Sequence, residues 1–160
     1  MTLELRTDVR PADRDAVREI VAGSGFFSAA EVDIAVELVD ERLAKGASSG
    51  YEFVFAERDG EVVGYTCHGE IAGTVGSHDL FWIAVRPDLR REGLGRLLLA
   101  DAEERIAAAG GRLVVVETST REQYAPTRRF YERCGYATAA IIEDFYAPGD
   151  GKAIYVKRVG

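Results

Sequence analysis

Arg90-Arg91-Glu92-Gly93-Leu94-Gly95-Arg96 joins two segments of different periodicity, and the fold is read outward from that junction. Upstream, Leu80-Phe81-Trp82-Ile83-Ala84-Val85 is an unbroken apolar run of aromatic and β-branched residues, the pattern of a buried strand. Pro87 ends it. Downstream, Leu94, Leu97, Leu98, Ala102 and Ile106 recur at helical spacing and predict a helix reaching about Ala109, closed by Gly110-Gly111. A helix that starts in this turn offers backbone N–H groups with no preceding carbonyl to satisfy them. Gly93 and Gly95 let a ligand approach the chain closely, and Arg90, Arg91 and Arg96 add positive charge. The combination suits a phosphate or pyrophosphate. A plain glycine turn with exposed arginines accounts for the same seven residues. A dinucleotide fingerprint fits less well, because Leu98 stands where its third glycine belongs.

The rest of the chain alternates strands and helices, with no repeat or linker. Leu3 to Val9 alternates as an opening strand, and Pro11-Ala12-Asp13 starts a helix with Val17, Ile20 and Val21 on one side. Ser28 and Glu31 form a capping-box pair for a second helix, Ser28 to Lys45, whose apolar positions are Ile34, Ala35, Leu38 and Leu43. Tyr51–Glu57 and Glu61–His68 flank Asp59-Gly60 as a hairpin. After the central strand, turn and helix, Leu113-Val114-Val115-Val116 predicts a short strand parallel to the Leu80–Val85 run. A last helix begins near Pro126 and ends at Gly135. Two closing strands, Tyr136–Glu143 and Ala153–Arg158, are separated by a turn-rich loop at Phe145–Gly151.

Arg90-x-x-Gly93-x-Gly95, following Ala84-Val85-Arg86-Pro87, resembles motif A of the GNAT superfamily of N-acetyltransferases. Phe130-Tyr131-Glu132-Arg133-Cys134-Gly135-Tyr136 resembles motif B, and the element order is similar to that of the family. The resemblance is clearest from Asp79 to Tyr136. It implies an α/β (α+β) fold: one N-acetyltransferase domain over residues 1–160, with a mixed, mostly antiparallel sheet of about seven strands and about four flanking helices. A parallel strand pair would splay at the cofactor site, at Ile83–Val85 and Val114–Val116. Acetyl-CoA would be the co-substrate, with no metal. Gly93, Gly95, Arg90, Arg91 and Arg96 would hold its pyrophosphate, and Ile83 and Val85 would pair with its pantetheine arm. Tyr124 and Thr127 stand where many family members carry Asn and Ala.

Acetyl transfer to an amine needs a proton acceptor, because an alkylammonium with a pKa of about 10.4 cannot attack. It also needs a donor to the thioester oxygen and one to the departing thiolate. By resemblance, Tyr131 faces the sulfur; a phenol stays protonated at neutral pH. Packing beside Phe130 is its bland role. For the base, Asp79 is first choice, on the strand where some relatives carry a glutamate. Positions 79, 81, 83 and 85 share a face if that strand is regular. Glu117 is second choice, and Glu70 and His68 follow. A backbone N–H on Ile83–Val85 would serve the oxygen. Cys134 and Trp82 are read as packing, and the Asp144–Lys152 loop as a turn.

Composition narrows the partners. A net charge of −7 argues against nucleic acid, so the arginine cluster is a local anion site on an acidic body. No apolar run approaches the roughly 20 residues of a membrane span, and the N-terminus lacks a signal-peptide pattern, so a cytoplasmic protein is expected. Cys67 and Cys134 are read as reduced thiols, and His68 and His78 lack a third metal ligand. The acceptor would be a small-molecule or peptide amine, and a homodimer is compatible with the family. Transfer of another acyl group, transfer to a hydroxyl, and a non-catalytic acyl-CoA-binding module remain alternatives.

Overall fold

The structure is a computed structural model, and it describes residues 2–160. Among them are strands β1 (Leu3–Arg6), β2 (Glu52–Arg58), β3 (Glu61–Glu70), β4 (Ser77–Val85), β5 (Leu113–Ser119), β6 (Ala137–Ala147) and β7 (Asp150–Arg158). The α-helices are α1 (Asp13–Gly23), α2 (Ala29–Lys45), α3 (Leu94–Ala108) and α4 (Ala125–Arg133). The strands form one sheet in the order β1-β2-β3-β4-β5-β7-β6, with β4 and β5 parallel. The expected fold class holds. Among the described residues, no helix is long and apolar enough to cross a membrane.

The chain divides into two compact units. The first comprises the chain to Gly69 together with Phe81–Ala102. On one face of its strands, Val17, Val21, Val32, Ala35, Val36 and Val39 from α1 and α2 pack on Phe53, Phe55, Tyr65 and Cys67. On the other, Leu94 and Leu98 of α3 join Val54, Ala56, Val63, Val85 and Leu89. Gly64 permits that approach, since a Cβ there would meet the Leu98 side chain at 3.0 Å and the Ala84 carbonyl at 3.2 Å.

Local signals account for the ends of these elements. Ser28 Oγ accepts from the Glu31 N–H and Glu31 returns the bond to the Ser28 N–H, completing the capping box. Asp59 and Gly60 both have positive φ, 53° and 81°, as a two-residue type I′ hairpin requires. The first strand is shorter than Leu3–Val9. After Arg6 the chain turns so that its guanidinium meets the buried Asp13 carboxylate at 2.8 Å, which also accepts from the Arg10 N–H. In α2 the buried stripe is Val32, Ala35, Val36 and Val39, whereas Ile34 is 50% and Leu43 37% exposed. Ile34 lies outside the i, i+3, i+4, i+7 row that starts at Val32, whereas Leu43 continues that row into the last turn of the helix.

The second unit comprises Glu70–Leu80 and Glu103–Gly160. Its buried side chains include Val114 and Val116 of β5, Ala153 and Tyr155 of β7, and Tyr131 and Tyr136 around the end of α4. β7 lies between β5 and β6, so the last two strands enter the sheet in reverse of chain order. The parallel register pairs Ser77, His78 and Asp79 with Leu113, Val114 and Val115. The partners of β5 therefore lie upstream of the Leu80–Val85 run, and Val114 and Val115 are paired rather than diverging. β4 continues to Val85 and β5 to Ser119 beyond these pairs. The expected loop at Phe145–Gly151 is mostly strand: β6 reaches Ala147, and only Pro148-Gly149 lie outside the strands. Asp144 makes this register work, taking a positive φ of 55° and accepting the Gly149 N–H at 2.7 Å.

Arg6→Met should destabilise the protein by about 3 kcal/mol in urea unfolding, because it leaves the Asp13 carboxylate buried without its cation. A loss under about 1 kcal/mol would show that the pair contributes little.

Candidate active site

The Gly-rich turn lies in the first unit. Pro87–Glu92 form a short 3-10 turn, and the helix proper opens at Leu94, later than the arginines suggest. Gly93 makes the junction at φ 79° and ψ 9°, a left-handed conformation that a side chain would strain. Leu89 and Leu94 are buried on either side and pin the turn to the core. Arg90, Arg91 and Arg96 are exposed, and the Arg90 guanidinium lies over the Phe26 ring at 5.4 Å. The first intrahelical bond donated across the turn runs from the Leu97 N–H to the Gly93 carbonyl, so the amides before it are the ones helix geometry leaves for a ligand. Leu97 is 43% exposed; Leu99 is buried in its place and completes the apolar stripe with Leu98 and Ala102.

Ile83 and Val85 pack on the Leu94–Leu98 side, while Trp82 and Ala84 pack on the α1–α2 side. Ile83 and Val85 thus share one face of β4, and Trp82 and Ala84 share the other. The Arg86 N–H donates to the Val63 carbonyl at 2.8 Å and ties the end of β4 to β3.

The second unit holds Tyr131, Asp79 and Glu117. Tyr131, near the end of α4, is buried edge-on to Tyr136 at 5.7 Å and beside Tyr155 at 6.2 Å. Burial, with a smaller contribution from Cys134, pushes its phenol well above the usual value, so it keeps its proton and can donate a hydrogen bond at any physiological pH. The helix end is fastened by a network. The Tyr136 hydroxyl donates to Glu103 at 2.8 Å, and Lys157 Nζ donates to Glu103 at 2.9 Å and to the Cys134 carbonyl at 2.9 Å. The Cys134 carbonyl thus closes the helix end. Tyr124 directly precedes α4, and Arg128 holds the connection from β5 through the Ser119 and Arg121 carbonyls.

Asp79 and Glu117 lie on one face of the sheet: Asp79 registers with Val115, and Glu117 is two residues further along β5. Burial raises the Asp79 pKa first, Glu117 raises it further, and Lys152 opposes both. Lys152 was not a candidate from the sequence. Its ammonium meets Glu117 at 2.8 Å and lies 4.0 Å from the centre of the Phe145 ring. Only the strand register, which sets Lys152 opposite Ser119, brings the pair together. Of the lower-ranked bases, Glu70 faces the buried His78 at 3.8 Å, and His68 is buried in β3.

Asp79→Asn tests this environment through stability. A carboxylate with a raised folded pKa contributes stability below its unfolded value, about 3.9, and loses it as pH rises through the folded pKa. The variant should melt above the wild type at pH 7, and that advantage should vanish near pH 3.5. A variant less stable at pH 7 than at pH 3.5, relative to wild type, would contradict the assignment.

The model of the acetyltransferase (GNAT) domain matches residues 49–138. The chain is 31% identical over 109 residues to an uncharacterized N-acetyltransferase of Methanocaldococcus jannaschii, covering 66% of this chain and 65% of that protein. It is 36% identical over 73 residues to the ribosomal protein bS18-alanine N-acetyltransferase of Escherichia coli, covering 46% of this chain and 48% of that one. The matched segments thus span less than two thirds of these relatives. A crystal structure of a GNAT-family protein from Desulfovibrio desulfuricans superimposes with a TM-score of 0.97 at 47% identity, covering 99% of this chain and all of the other. The turn at Gly93, the helix it opens and the tyrosine of α4 all lie inside the matched family segment, and the chain belongs to the GNAT acetyltransferase family.

Proposed function

We propose that this chain is an acetyl-CoA-dependent N-acetyltransferase, a single catalytic domain that moves an acetyl group to a primary amine by direct attack. The observation that carries the reading is the left-handed Gly93 opening α3, with three exposed arginines around the free amides of its first turn. Such a turn fits a pyrophosphate better than a single carboxylate, because it offers several amides and more than one cation. Gly93, Gly95, Arg90, Arg91 and Arg96 would hold the phosphates, and the backbone of Ile83–Val85 would receive the pantetheine arm. The relatives' names, with alanine of a ribosomal protein as one acceptor, favour an amine over a hydroxyl.

Acetyl-CoA supplies an acetyl group activated as a thioester. The residues supply the proton chemistry around it. Asp79 or Glu117 takes a proton from the acceptor ammonium, so that the neutral nitrogen can form the new C–N bond. A backbone N–H on Ile83–Val85 donates to the carbonyl oxygen as charge builds there. Tyr131 donates to the sulfur as the C–S bond breaks. Its proton is held more tightly than that of a thiol, pKa about 8.5, so the hydroxyl stabilises the leaving thiolate as a hydrogen-bond donor before any proton passes.

The test is thiol release from acetyl-CoA across a panel of polyamines, amino acids, aminoglycosides and alanine-terminal peptides. At least one amine should stimulate release and recover the acetyl group as an amide. Tyr131→Phe should then lower kcat about 100-fold while leaving acetyl-CoA affinity unchanged. Unchanged turnover would remove Tyr131 from the mechanism, and binding without transfer to any amine would favour an acyl-CoA-binding module.

A further inference from the structure

We infer that Lys152 is a positioning residue for the acid–base chemistry of this sheet face: its ammonium holds Glu117 as a fixed counter-ion and leaves Asp79 as the carboxylate that exchanges a proton with the acceptor amine. This rests on the acetyl-transfer reading and deepens it, since it decides between two carboxylates that the sequence leaves as alternatives.

The geometry separates the two acids. Lys152 sits in β7 with its side chain only 13% exposed, between Glu117 on β5 and Phe145 on β6. β6 spends three more residues than β7 between Ile142 and Ala147, and this bulge carries Phe145 to the ammonium. A cation so covered needs a permanent anionic partner. Glu117, whose own side chain is 41% exposed, provides it at 2.8 Å. A carboxylate in that role is not free to accept a substrate proton without exposing the lysine's charge.

Asp79 has the other half of the arrangement. It is partly buried on the same face, with burial and Glu117 pushing its proton affinity up and Lys152 restraining it. Of the other charged groups on the surrounding strands, Arg158 of β7 shares this face but stands opposite Leu113, at the far end of β5 from Lys152. Asp150 of β7 accepts from the Ser119 hydroxyl, and Asp144 of β6 accepts from the Gly149 N–H. Glu143 of β6 is exposed. On β4 itself, His78 points to the opposite face, where Glu70 of β3 meets it. Glu117 and Lys152 are the charges that act on the Asp79 carboxyl.

The experiment follows the Asp79 carboxyl by carbon-13 NMR titration, alongside the pH profile of kcat/KM with an accepted amine. Lys152→Met should raise the Asp79 midpoint and the acid limb of the profile together by roughly one pH unit, with acetyl-CoA affinity unchanged. Lys152→Arg should restore both. Glu117→Gln, which keeps the shape and removes the like charge, should move the midpoint down, and it carries the test if Lys152→Met fails to fold. Asp79→Asn should abolish the acid limb. An Asp79 midpoint that ignores both substitutions, or an Asp79→Asn enzyme that keeps the wild-type acid limb, overturns the inference while leaving acetyl transfer standing. A protein that transfers acetyl groups to no amine overturns the functional reading itself, and the assignment of Asp79 with it.

Discussion

A helix begins with amides its own backbone cannot satisfy, and in this chain that constraint is met at Gly93. The glycine adopts a left-handed conformation, Leu89 and Leu94 anchor the turn to the core on either side, and α3 starts with its unsatisfied N–H groups among exposed arginines. Everything in the first unit supports that placement. Gly64 lets Leu98 settle against the strands, and Val85 and Ile83 pack beneath the opening turn of the helix. The acidic character of the rest of the protein makes the arginine cluster a local feature rather than a general polyanion surface.

The second unit is organised around proton affinity. Its sheet has two faces with different roles. On one, aromatic packing around Tyr131 keeps a phenol buried and neutral, and the Tyr136–Glu103–Lys157 network fixes the helix that carries it. On the other, Asp79, Glu117 and Lys152 put two acids and one base on neighbouring strands. A buried phenol and a partly buried carboxyl thus sit in environments that push both groups away from their solution behaviour, by burial in each case.

Local interactions were legible in the sequence and cross-strand ones were not. Ser28 with Glu31, Asp59 with Gly60, and Gly93 after an apolar run all act over a few residues, so spacing alone located them. Apolar stripes were legible only in part, because Ile34, Leu43 and Leu97 are as hydrophobic as the residues that replace them in the core. The β6–β7 turn was misplaced because Phe145-Tyr146-Ala147-Pro148-Gly149 carries turn residues that the strands absorb through the bulge and the positive φ at Asp144. Lys152 was missed for a different reason. Its importance lies in the partners that register brings to it, and no local pattern announces a pair formed across two strands.

The central claim is that the turn at Gly93 is an acetyl-CoA site. Calorimetric titration with acetyl-CoA, with NADH as a second pyrophosphate-bearing ligand, tests it most directly. Saturable binding of acetyl-CoA alone, weakened when Arg90, Arg91 and Arg96 are replaced by alanine, is the predicted result. No binding of acetyl-CoA, or equal binding of both ligands, would contradict it and return the turn to a structural role or a general phosphate site.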